Sequence, residues 1–238
     1  MSKKALFHFK KFTVSHSKSS MKVGTDGVLL GAWTEIGEGA SRILDIGTGT
    51  GLIALMTAQR HLSAEIIGID IEPTAVSEAA LNFQNSPWSN RLKAVNSSVQ
   101  EFNAKSKFDM IISNPPFIEF NFHSIDGNRS VARQQEKLTF EELIKHSSRL
   151  LNDAGAFSII IPAFEKDAFI ELAVAEKLYP HRICEVKGRA NLDAKRVLTT
   201  FKKKPISAIL EEELVIEIER HKYTEAYIDL VKDFYLNM

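Results

Sequence analysis

From residue 41 onward, short apolar runs alternate with segments whose apolar residues recur every three or four positions, as on one face of a helix. The strand-like runs are SRILDI, AEIIGID, RLKAVN, FDMIIS and GAFSIII. The helix-like segments are GLIALMTAQRH, EPTAVSEAALNFQ and TFEELIKHSSRLL, the last opening at Thr139 or its neighbour Leu138. This alternation predicts βαβ units, and therefore a mostly parallel α/β sheet with helices on both faces.

The pattern changes after Pro180. The runs HRICEVKG and RVLTTFKKK indicate an antiparallel pair that ends the sheet, and a strand-like ISAILEEELVIEI and a helix over TEAYIDLVKDFYL follow. The sequence shows no internal repeat and no Gly/Ser linker. We therefore predict a basic N-terminal arm over residues 1–24 and a single domain over residues 25–238.

Composition and charge exclude several classes of protein. A formal net charge of +0 argues against a protein that coats nucleic acid by bulk electrostatics, although six lysines and no acid precede Asp26. No apolar run is long enough to span a bilayer, and the start has no secretory signal, so we expect a cytoplasmic protein. Cys184 is the single cysteine, which rules out an internal disulfide and favours a buried apolar role. The seven histidines show no metal-ligand spacing, so we expect no metal.

The stretch LDIGTGTGLIAL places Gly47, Gly49 and Gly51 between a strand and a helix. Glycines there let the chain turn sharply and let a ligand approach the backbone closely. The spacing is G-x-G-x-G rather than the dinucleotide pattern G-x-G-x-x-G, and Asp45 precedes it. An acid at that position disfavours a pyrophosphate and suits a cationic ligand that carries an amino acid. Asp70, about twenty residues on, has the spacing of a carboxylate that binds ribose hydroxyls.

The quartet NPPF at residues 114–117 ends the apolar run FDMIIS. Two consecutive prolines fix two φ angles, remove two backbone donors and keep the preceding residues out of the helical region. A buried strand that stops in such a rigid turn, with an amide and an aromatic ring, favours binding of a flat polar group.

Together, LDIGTGTG, GIDIEP and SNPPF resemble the motifs of the class I S-adenosylmethionine-dependent methyltransferases. The resemblance implies a Rossmann-like fold with a mostly parallel seven-stranded sheet whose final strand is antiparallel. It also implies S-adenosylmethionine as cofactor and S-adenosylhomocysteine as product. Read this way, Asp45 and the three glycines approach the methionine portion, Asp70 holds the ribose and Ile71 flanks the adenine. Ser98 stands where many relatives carry an acid that contacts the adenine amine.

An Asn, Asp or Ser before Pro-Pro and an aromatic residue is similar to the motif of methyltransferases that act on planar nitrogens. By that resemblance the catalytic group is Asn114, Pro115, Pro116 and Phe117, and Asn114 also borders the cofactor. The Asn114 oxygen and the Pro115 carbonyl can each accept one hydrogen of the target amine, which orients the nitrogen lone pair. Phe117 offers a face on which a flipped-out base can stack.

The upstream block FTVSHSKSSMKVGTDGVLLGAW resembles the start of the bacterial tRNA1(Val) adenine-37 N6-methyltransferases. The likeness continues through NPPF, ARQQEKLTFEELI and RVLTTFKKK, and so covers most of the chain. It implies methyl transfer to adenine N6 in a tRNA anticodon loop. We expect a monomer that does not bind membranes. The likeness also places Lys22, Thr25 and Asp26 near the cofactor, with TDGVLLGAW as a helix that covers the pocket. Asp26 suits a helix N-cap role equally well.

Two further groups of residues are candidates for RNA contact. Arg129 and Arg133, soon after NPPF, are expected to bind substrate phosphate, since arginine is the better bidentate phosphate ligand. Phe7, Phe9 and Phe12 alternate with lysines in the arm, as in an RNA-contacting segment. An edge strand with core phenylalanines explains the same pattern equally well.

Three alternatives remain from the sequence. Another enzyme with the NPPF motif, acting on guanine N2 of rRNA or on a protein glutamine, shares the nitrogen chemistry but has a different N-terminal domain. A nicotinamide-dependent oxidoreductase is disfavoured by the glycine spacing and by NPPF. An RNA-binding module that has kept the fold and lost catalysis is disfavoured by the intact Asn114 and Phe117.

Overall fold

The computed structural model describes residues 6–17, 23–116 and 138–238. The strands are β1 (Leu6–His8), β2 (Thr13–Ser15), β3 (Arg42–Ile46), β4 (Glu65–Asp70), β5 (Leu92–Asn96), β6 (Phe108–Ser113), β7 (Leu151–Pro162), β8 (Tyr179–Lys187), β9 (Ala194–Lys202), β10 (Leu210–Val215), β11 (Glu217–Glu219) and β12 (Lys222–Tyr223). The helices are α1 (Thr25–Trp33), α2 (Leu52–Arg60), α3 (Pro73–Gln84), α4 (Phe140–Leu150), α5 (Lys166–Ala175) and α6 (Glu225–Val231), with short 3₁₀ turns at Ser89–Arg91 and Ala163–Glu165.

The main sheet has the strand order β10-β8-β9-β7-β6-β3-β4-β5. The strands from β5 to β7 along this order are parallel, and β9 runs antiparallel to both of its neighbours. The predicted Rossmann-like sheet with its antiparallel strand is therefore confirmed. The described sheet has eight strands rather than seven, because β10 pairs with β8 in parallel. The β8–β9 pair consequently does not end the sheet.

Helices cover both faces of the sheet, as expected. On one face α1, α2, α3 and α6 share a core with alternate residues of β6, such as Met110 and Ile112. On the other face α4 and α5 pack against Phe108 and Ile111 of the same strand. Because both faces are covered, the parallel strands need apolar residues at nearly every position, and this explains the unbroken apolar runs.

The helix α4 begins where the sequence predicted. Thr139 is its N-cap, and its side chain accepts a hydrogen bond from the backbone N–H of Glu142, whose carboxylate in turn accepts from the Thr139 N–H. This reciprocal pair satisfies two backbone donors at the helix start.

Two glycines let α1 pack closely on α2. A Cβ atom at Gly31 would lie 2.8 Å from the Met56 sulfur, and one at Gly27 would lie 3.1 Å from Leu52 Cδ2. The G-x-x-x-G spacing in TDGVLLGAW therefore serves a helix–helix contact, which the sequence analysis did not predict. The segment does form the expected helix, Thr25–Trp33.

The described part of the N-terminal arm is built into the domain core. The strands β1 and β2 form an antiparallel hairpin, and Phe9 and Phe12 are buried in the core shared with α1 and α6. The Lys10 ammonium donates hydrogen bonds to the carbonyl of Lys232 at 2.6 Å and to that of Met238 at 3.0 Å. Phe9 and Phe12 therefore act as core residues, the second of the two roles the sequence allowed.

The C-terminal helix is shorter than predicted. It ends at Val231, whereas the apolar pattern suggested a helix over residues 224–236. The residues after it turn back toward the arm: Lys10 N donates to the Phe234 carbonyl, and Phe9 forms a β-bridge with Tyr235. The carbonyls of Lys232 and Phe234 are thus paired with the arm, while the N–H groups of Phe234 and Tyr235 still donate to the Val231 carbonyl.

Cys184 lies in β8 and is 3% exposed, as the sequence led us to expect. Burial raises the pKa of its thiol to about 12, so the thiol stays protonated at neutral pH. It is therefore unsuited to act as a nucleophile.

Candidate active site

A cleft of about 310 Å³ lies at the carboxyl ends of β3 and β6 and beside the start of α1. Its walls are residues 24–27, 47–50, 52–53 and 114–116. Ligands of open α/β sheets bind at this edge. The cleft brings together the following residues singled out from the sequence: Thr25, Asp26, Gly47, Gly49, Asn114, Pro115 and Pro116.

Gly47 and Gly49 form an open backbone cradle in this cleft. Both have positive φ values, 71° and 54°, which side-chain-bearing residues rarely adopt. A Cβ atom built on either glycine would meet no atom within 4 Å. The loop is held by the Ile69 carbonyl, which accepts from the N–H of Gly47 at 2.9 Å and of Thr48 at 3.0 Å. A ligand can therefore approach this backbone directly.

Gly51 has a different environment. It also has a positive φ of 81°, but a Cβ atom there would collide with the Phe83 ring of α3. It precedes α2 as its N-cap and is not among the residues that line the cleft. The third glycine is thus required by the turn and by packing against α3.

Asp45 is a buried carboxylate with one unpaired oxygen. It is 1% exposed, and its Oδ2 accepts a hydrogen bond from the Thr48 hydroxyl at 2.6 Å. Its Oδ1 is buried and makes no hydrogen bond of ordinary geometry among the described residues, although the backbone N–H of Ala54 in α2 favours the charged carboxylate. Burial raises the pKa of Asp45 to about 7. Asp45 does not itself line the cleft but lies just before the glycine loop that does. A ligand ammonium group that reached its Oδ1 would supply the missing donor and counter-charge, as the amino-acid portion of S-adenosylmethionine can.

Asp70, at the carboxyl end of β4, orders the glycine loop. Its Oδ2 accepts from the Gly49 N–H at 2.9 Å and its Oδ1 from the Glu72 N–H at 3.0 Å. Each carboxylate oxygen retains a lone pair that can accept a ligand hydroxyl. The Asn96 amide, missed in the sequence, holds this turn by donating to the carbonyls of Asp70 and Ile71. Ile71 itself is 55% exposed, a bare apolar surface beside the carboxylate.

Ser98 is engaged within its own turn. Its hydroxyl donates to Glu101 Oε2 at 3.3 Å and accepts from the Glu101 N–H at 3.2 Å. Neither Ser98 nor Asp70 lines the described cleft. Asp70 is the last residue of β4, and Ser98 follows the end of the neighbouring strand β5.

Asn114 carries the second unpaired oxygen of the site. It follows β6, whose last residue, Ser113, donates a hydrogen bond to the Ile46 carbonyl of β3 at 2.9 Å. Asn114 lines the cleft. Its Oδ1 is buried and has no hydrogen-bond partner among the described residues. The start of α1 lies against it, since a Cβ at Gly27 would be 3.9 Å from Asn114 Nδ2. An amine donor in the cleft could satisfy this acceptor.

Asp26 is not the N-cap of α1, which is Gly24. Asp26 lies in the first turn, and its Oδ2 accepts from Arg196 Nε of β9 at 2.8 Å. The alternative N-cap role is therefore wrong, and Arg196 was not predicted as the partner of Asp26.

A buried polar pair on α3 ties the segment before α1 to the glycine loop. The Asn82 amide donates to the carbonyls of Ser15 at 2.9 Å and Thr50 at 2.8 Å, and its oxygen accepts from the Ser15 N–H. Glu78 accepts from the Ser17 N–H at 2.7 Å. In the sequence, both residues looked like the polar face of an ordinary helix, so their role was missed.

Four residues singled out from the sequence, Lys22, Phe117, Arg129 and Arg133, lie outside the described residues. Within residues 6–17, 23–116 and 138–238, no group of three or more His, Cys, Asp or Glu side chains is placed to hold a metal ion. In the same ranges, no helix has the length and apolar character that a membrane crossing requires.

The family model of the methyltransferase small domain matches residues 15–178. A solved structure of a predicted O-methyltransferase from Agrobacterium tumefaciens shares the fold, with a TM-score of 0.69 and 22% identity. That likeness covers 88% of this chain and 96% of the other.

Two curated relatives match almost end to end. The tRNA1(Val) (adenine(37)-N6)-methyltransferase of Flavobacterium johnsoniae is 44% identical over 98% of this chain and 100% of its own length. The protein of the same name from Bacteroides fragilis is 45% identical, with 98% of both chains covered. The chain therefore belongs to the methyltransferase small domain family and, within it, to the family of the tRNA1(Val) (adenine(37)-N6)-methyltransferases.

Proposed function

We propose that this protein transfers a methyl group from S-adenosylmethionine to N6 of adenine 37 in the anticodon loop of tRNA1(Val) and releases S-adenosylhomocysteine. The observation that carries the chemistry is a pair of buried oxygens, Asp45 Oδ1 and Asn114 Oδ1, for which the described residues supply no hydrogen-bond partner. Asn114 lines a cleft floored by open glycine backbone, and Asp45 lies just before that glycine loop. The tRNA1(Val) substrate of the curated relatives supports the choice of nucleic acid.

The chain offers a separate group to each part of the cofactor. Asp45 Oδ1 accepts from the ammonium of the methionine portion, and the backbone at Gly47 and Gly49 lies along it. Asp70 accepts from ribose hydroxyls, and the exposed Ile71 side chain packs on the adenine. Once bound, S-adenosylmethionine supplies a methyl group made electrophilic by the sulfonium sulfur.

The adenine amine is a poor nucleophile because its lone pair is delocalised into the ring. Asn114 Oδ1 and the Pro115 carbonyl each accept one of its hydrogens, which turns the lone pair toward the methyl group. Both acceptors also stabilise the positive charge that develops on nitrogen. The rigid Pro-Pro turn keeps them in place before the substrate arrives, which lowers the entropic part of the barrier. Phe117 is proposed to stack on the base.

The remaining features of the proposal concern the setting of the reaction. We propose that the enzyme works in the cytoplasm as a monomer and needs no metal. Lys22, Thr25 and Asp26 are proposed to lie close to the cofactor, and Arg129 and Arg133 to bind RNA phosphates. Ser98 is proposed to lie near the cofactor adenine.

The test is methyl transfer from labelled S-adenosylmethionine into total tRNA from a strain that lacks this gene, followed by nucleoside mass spectrometry. We expect new N6-methyladenosine confined to tRNA1(Val). A transcript with guanine in place of adenine 37 is the matched substrate control and should take no label. Label in rRNA or in a protein glutamine, with none in tRNA, would keep the nitrogen chemistry and reject the substrate.

A further inference from the structure

Phe164 is an aromatic side chain left open to solvent. Its side chain is 78% exposed, whereas Phe157, Phe169 and Phe201 in the core below it are fully buried. None of the described aromatic rings packs against it. One exposed apolar residue is ordinary on a protein surface, so the position of this ring in the fold decides its meaning.

Phe164 lies at the carboxyl ends of the parallel strands, on the same side of the sheet as the cleft. Phe164 is in the 3₁₀ turn Ala163–Glu165, directly after the carboxyl end of β7. The strand β7 is the parallel neighbour of β6, which ends at Ser113 directly before Asn114, so both strands have their carboxyl ends on the same side of the sheet. Phe164 therefore follows β7, and the proposed catalytic residue Asn114 follows the neighbouring strand β6.

A chain of contacts joins this turn to the cleft wall. Pro162, at the end of β7, pairs with Arg196 of β9, and the turn itself contacts β9. Arg196 Nε lies 2.8 Å from Asp26 Oδ2, and Asp26 lines the cleft. The start of β9 thus connects the turn that carries Phe164 to the wall of the cleft.

The charges around Phe164 are mixed. Lys195 is exposed and adjoins Arg196, but Glu165 and Asp193 lie on the same rim. Lys166 is already paired with Glu185 at 2.7 Å. This rim is therefore not a general anion-binding surface. Phe164 instead offers an RNA the face of its ring, on which the π-face of any base can stack.

We propose that Phe164 is a stacking platform for an unpaired base of the RNA substrate, adjacent to the adenine that enters the cleft. This inference rests on the proposed function. A target base must leave its stack to reach the catalytic group, which strips its neighbour of a stacking partner. An exposed ring one strand away from Asn114 can replace that partner and hold the flanking nucleotide.

The experiment compares Phe164→Ala, Phe164→Leu and Phe164→Tyr with the wild-type enzyme, and uses Leu62→Ala as the matched control. Leu62 is 80% exposed but precedes β4, so it lies at the amino ends of the parallel strands, on the side of the sheet opposite to the cleft. The readouts are the Kd and KM for tRNA1(Val) transcript and the Kd for S-adenosylhomocysteine. We expect Phe164→Ala to weaken tRNA binding by about 5- to 100-fold, with cofactor affinity unchanged.

Two further readouts separate stacking from charge and from simple burial. Phe164→Tyr should retain near-wild-type tRNA affinity, whereas Phe164→Leu should lose it although it remains apolar. The ratio of wild-type to Phe164→Ala affinity should stay constant as salt is raised, because a ring releases no counterions. In Phe164→Trp, titration with the transcript should quench fluorescence beyond the change seen in the wild-type protein.

Wild-type tRNA affinity in Phe164→Ala would overturn the inference, as would Phe164→Leu binding as well as Phe164→Tyr. Either result leaves the proposed function intact if the wild-type enzyme still methylates adenine 37. If instead the wild-type enzyme fails to methylate tRNA, the proposed function fails, and this inference fails with it.

Discussion

At the scale of single residues, Asp45 shows how the site departs from what stability alone would select. Its carboxylate is buried, only one of its oxygens is paired, and burial raises its pKa from 3.8 to about 7. Between about pH 4 and about pH 7 the folded protein therefore binds more protons at this group than the unfolded chain does. Stability falls as pH rises through that window, and the loss persists above it. Cofactor binding would supply the missing positive partner.

Asp45→Asn should therefore stabilise the cofactor-free protein in a pH-dependent way. We expect a gain in unfolding free energy on the order of 2–4 kcal/mol at about pH 8, fading toward zero near about pH 4. Affinity for S-adenosylhomocysteine should fall at least about tenfold, because the ammonium loses its counter-charge. Urea unfolding at the two pH values and calorimetric titration measure both effects. An equal stability change at both pH values would contradict the account of Asp45.

At the scale of elements, the contact between α1 and α2 sets one wall of the cleft. Gly27 and Gly31 allow the close approach, and residues 24–27 line the cleft. A change that pushes these helices apart should therefore reach the ligand site without touching a proposed ligand-binding residue.

Gly31→Ala tests this coupling. The new Cβ would lie 2.8 Å from Met56 Sδ, so α1 or Met56 must move, at a cost of about 1–3 kcal/mol from overpacking. We expect lower thermal stability and weaker cofactor binding. Gly39→Ala is the matched control, because a Cβ there meets no atom within 4 Å. Adding Met56→Ala should restore cofactor affinity; no recovery would show that α1 does not transmit the strain.

The elements also show how far the sequence predicts the fold. The parallel strands and α2, α3 and α4 were predictable, because buried parallel strands, amphipathic helices and the Thr139 capping box each leave a local pattern. The placement of β10 beside β8 was not predictable, because the partners of a strand are set by the whole sheet. The early end of α6 depends on contacts with the arm more than 200 residues away, as in the Lys10–Lys232 hydrogen bond.

The residues of the candidate site likewise divide into those that could be predicted from the sequence and those that could not. Gly47, Gly49, Asp45, Asp70 and Asn114 were recognisable because they lie at or next to the carboxyl ends of strands, where little but ligand chemistry requires them. Asn82, Asn96 and Arg196 were missed, because their partners are distant in sequence and they have no distinctive spacing. Gly51 resembled a ligand residue, but its environment is packing against Phe83.

At the scale of the whole molecule, the two ends of the described chain close on each other. Phe9 and Phe12 of the arm and Phe234 near the C-terminus share one core. Division of the chain at residue 24 remains a prediction about its organisation. The buried phenylalanines imply that the described arm contributes to folding as a whole.

Phe12→Ala should therefore behave as a core mutation. Phe12 is 6% exposed and meets the edge of Trp88 at a centroid distance of 5.9 Å. We expect a loss of about 3–5 kcal/mol in unfolding free energy. Below its melting temperature, the variant should keep wild-type tRNA affinity, as measured by filter binding. A variant of unchanged stability that binds tRNA poorly would assign the ring to RNA contact instead.

The central claim is that Asn114 acts on the target amine, whereas Asp70 acts on the cofactor. The most direct measurement is single-turnover methyl transfer to tRNA1(Val) by Asn114→Ala and Asp70→Ala, paired with calorimetric affinities for S-adenosylhomocysteine. We predict that Asn114→Ala loses transfer by about 100-fold or more while its cofactor affinity stays near wild type. Asp70→Ala should lose cofactor affinity first and recover much of its transfer rate at saturating S-adenosylmethionine. Near-full transfer by Asn114→Ala would contradict the account.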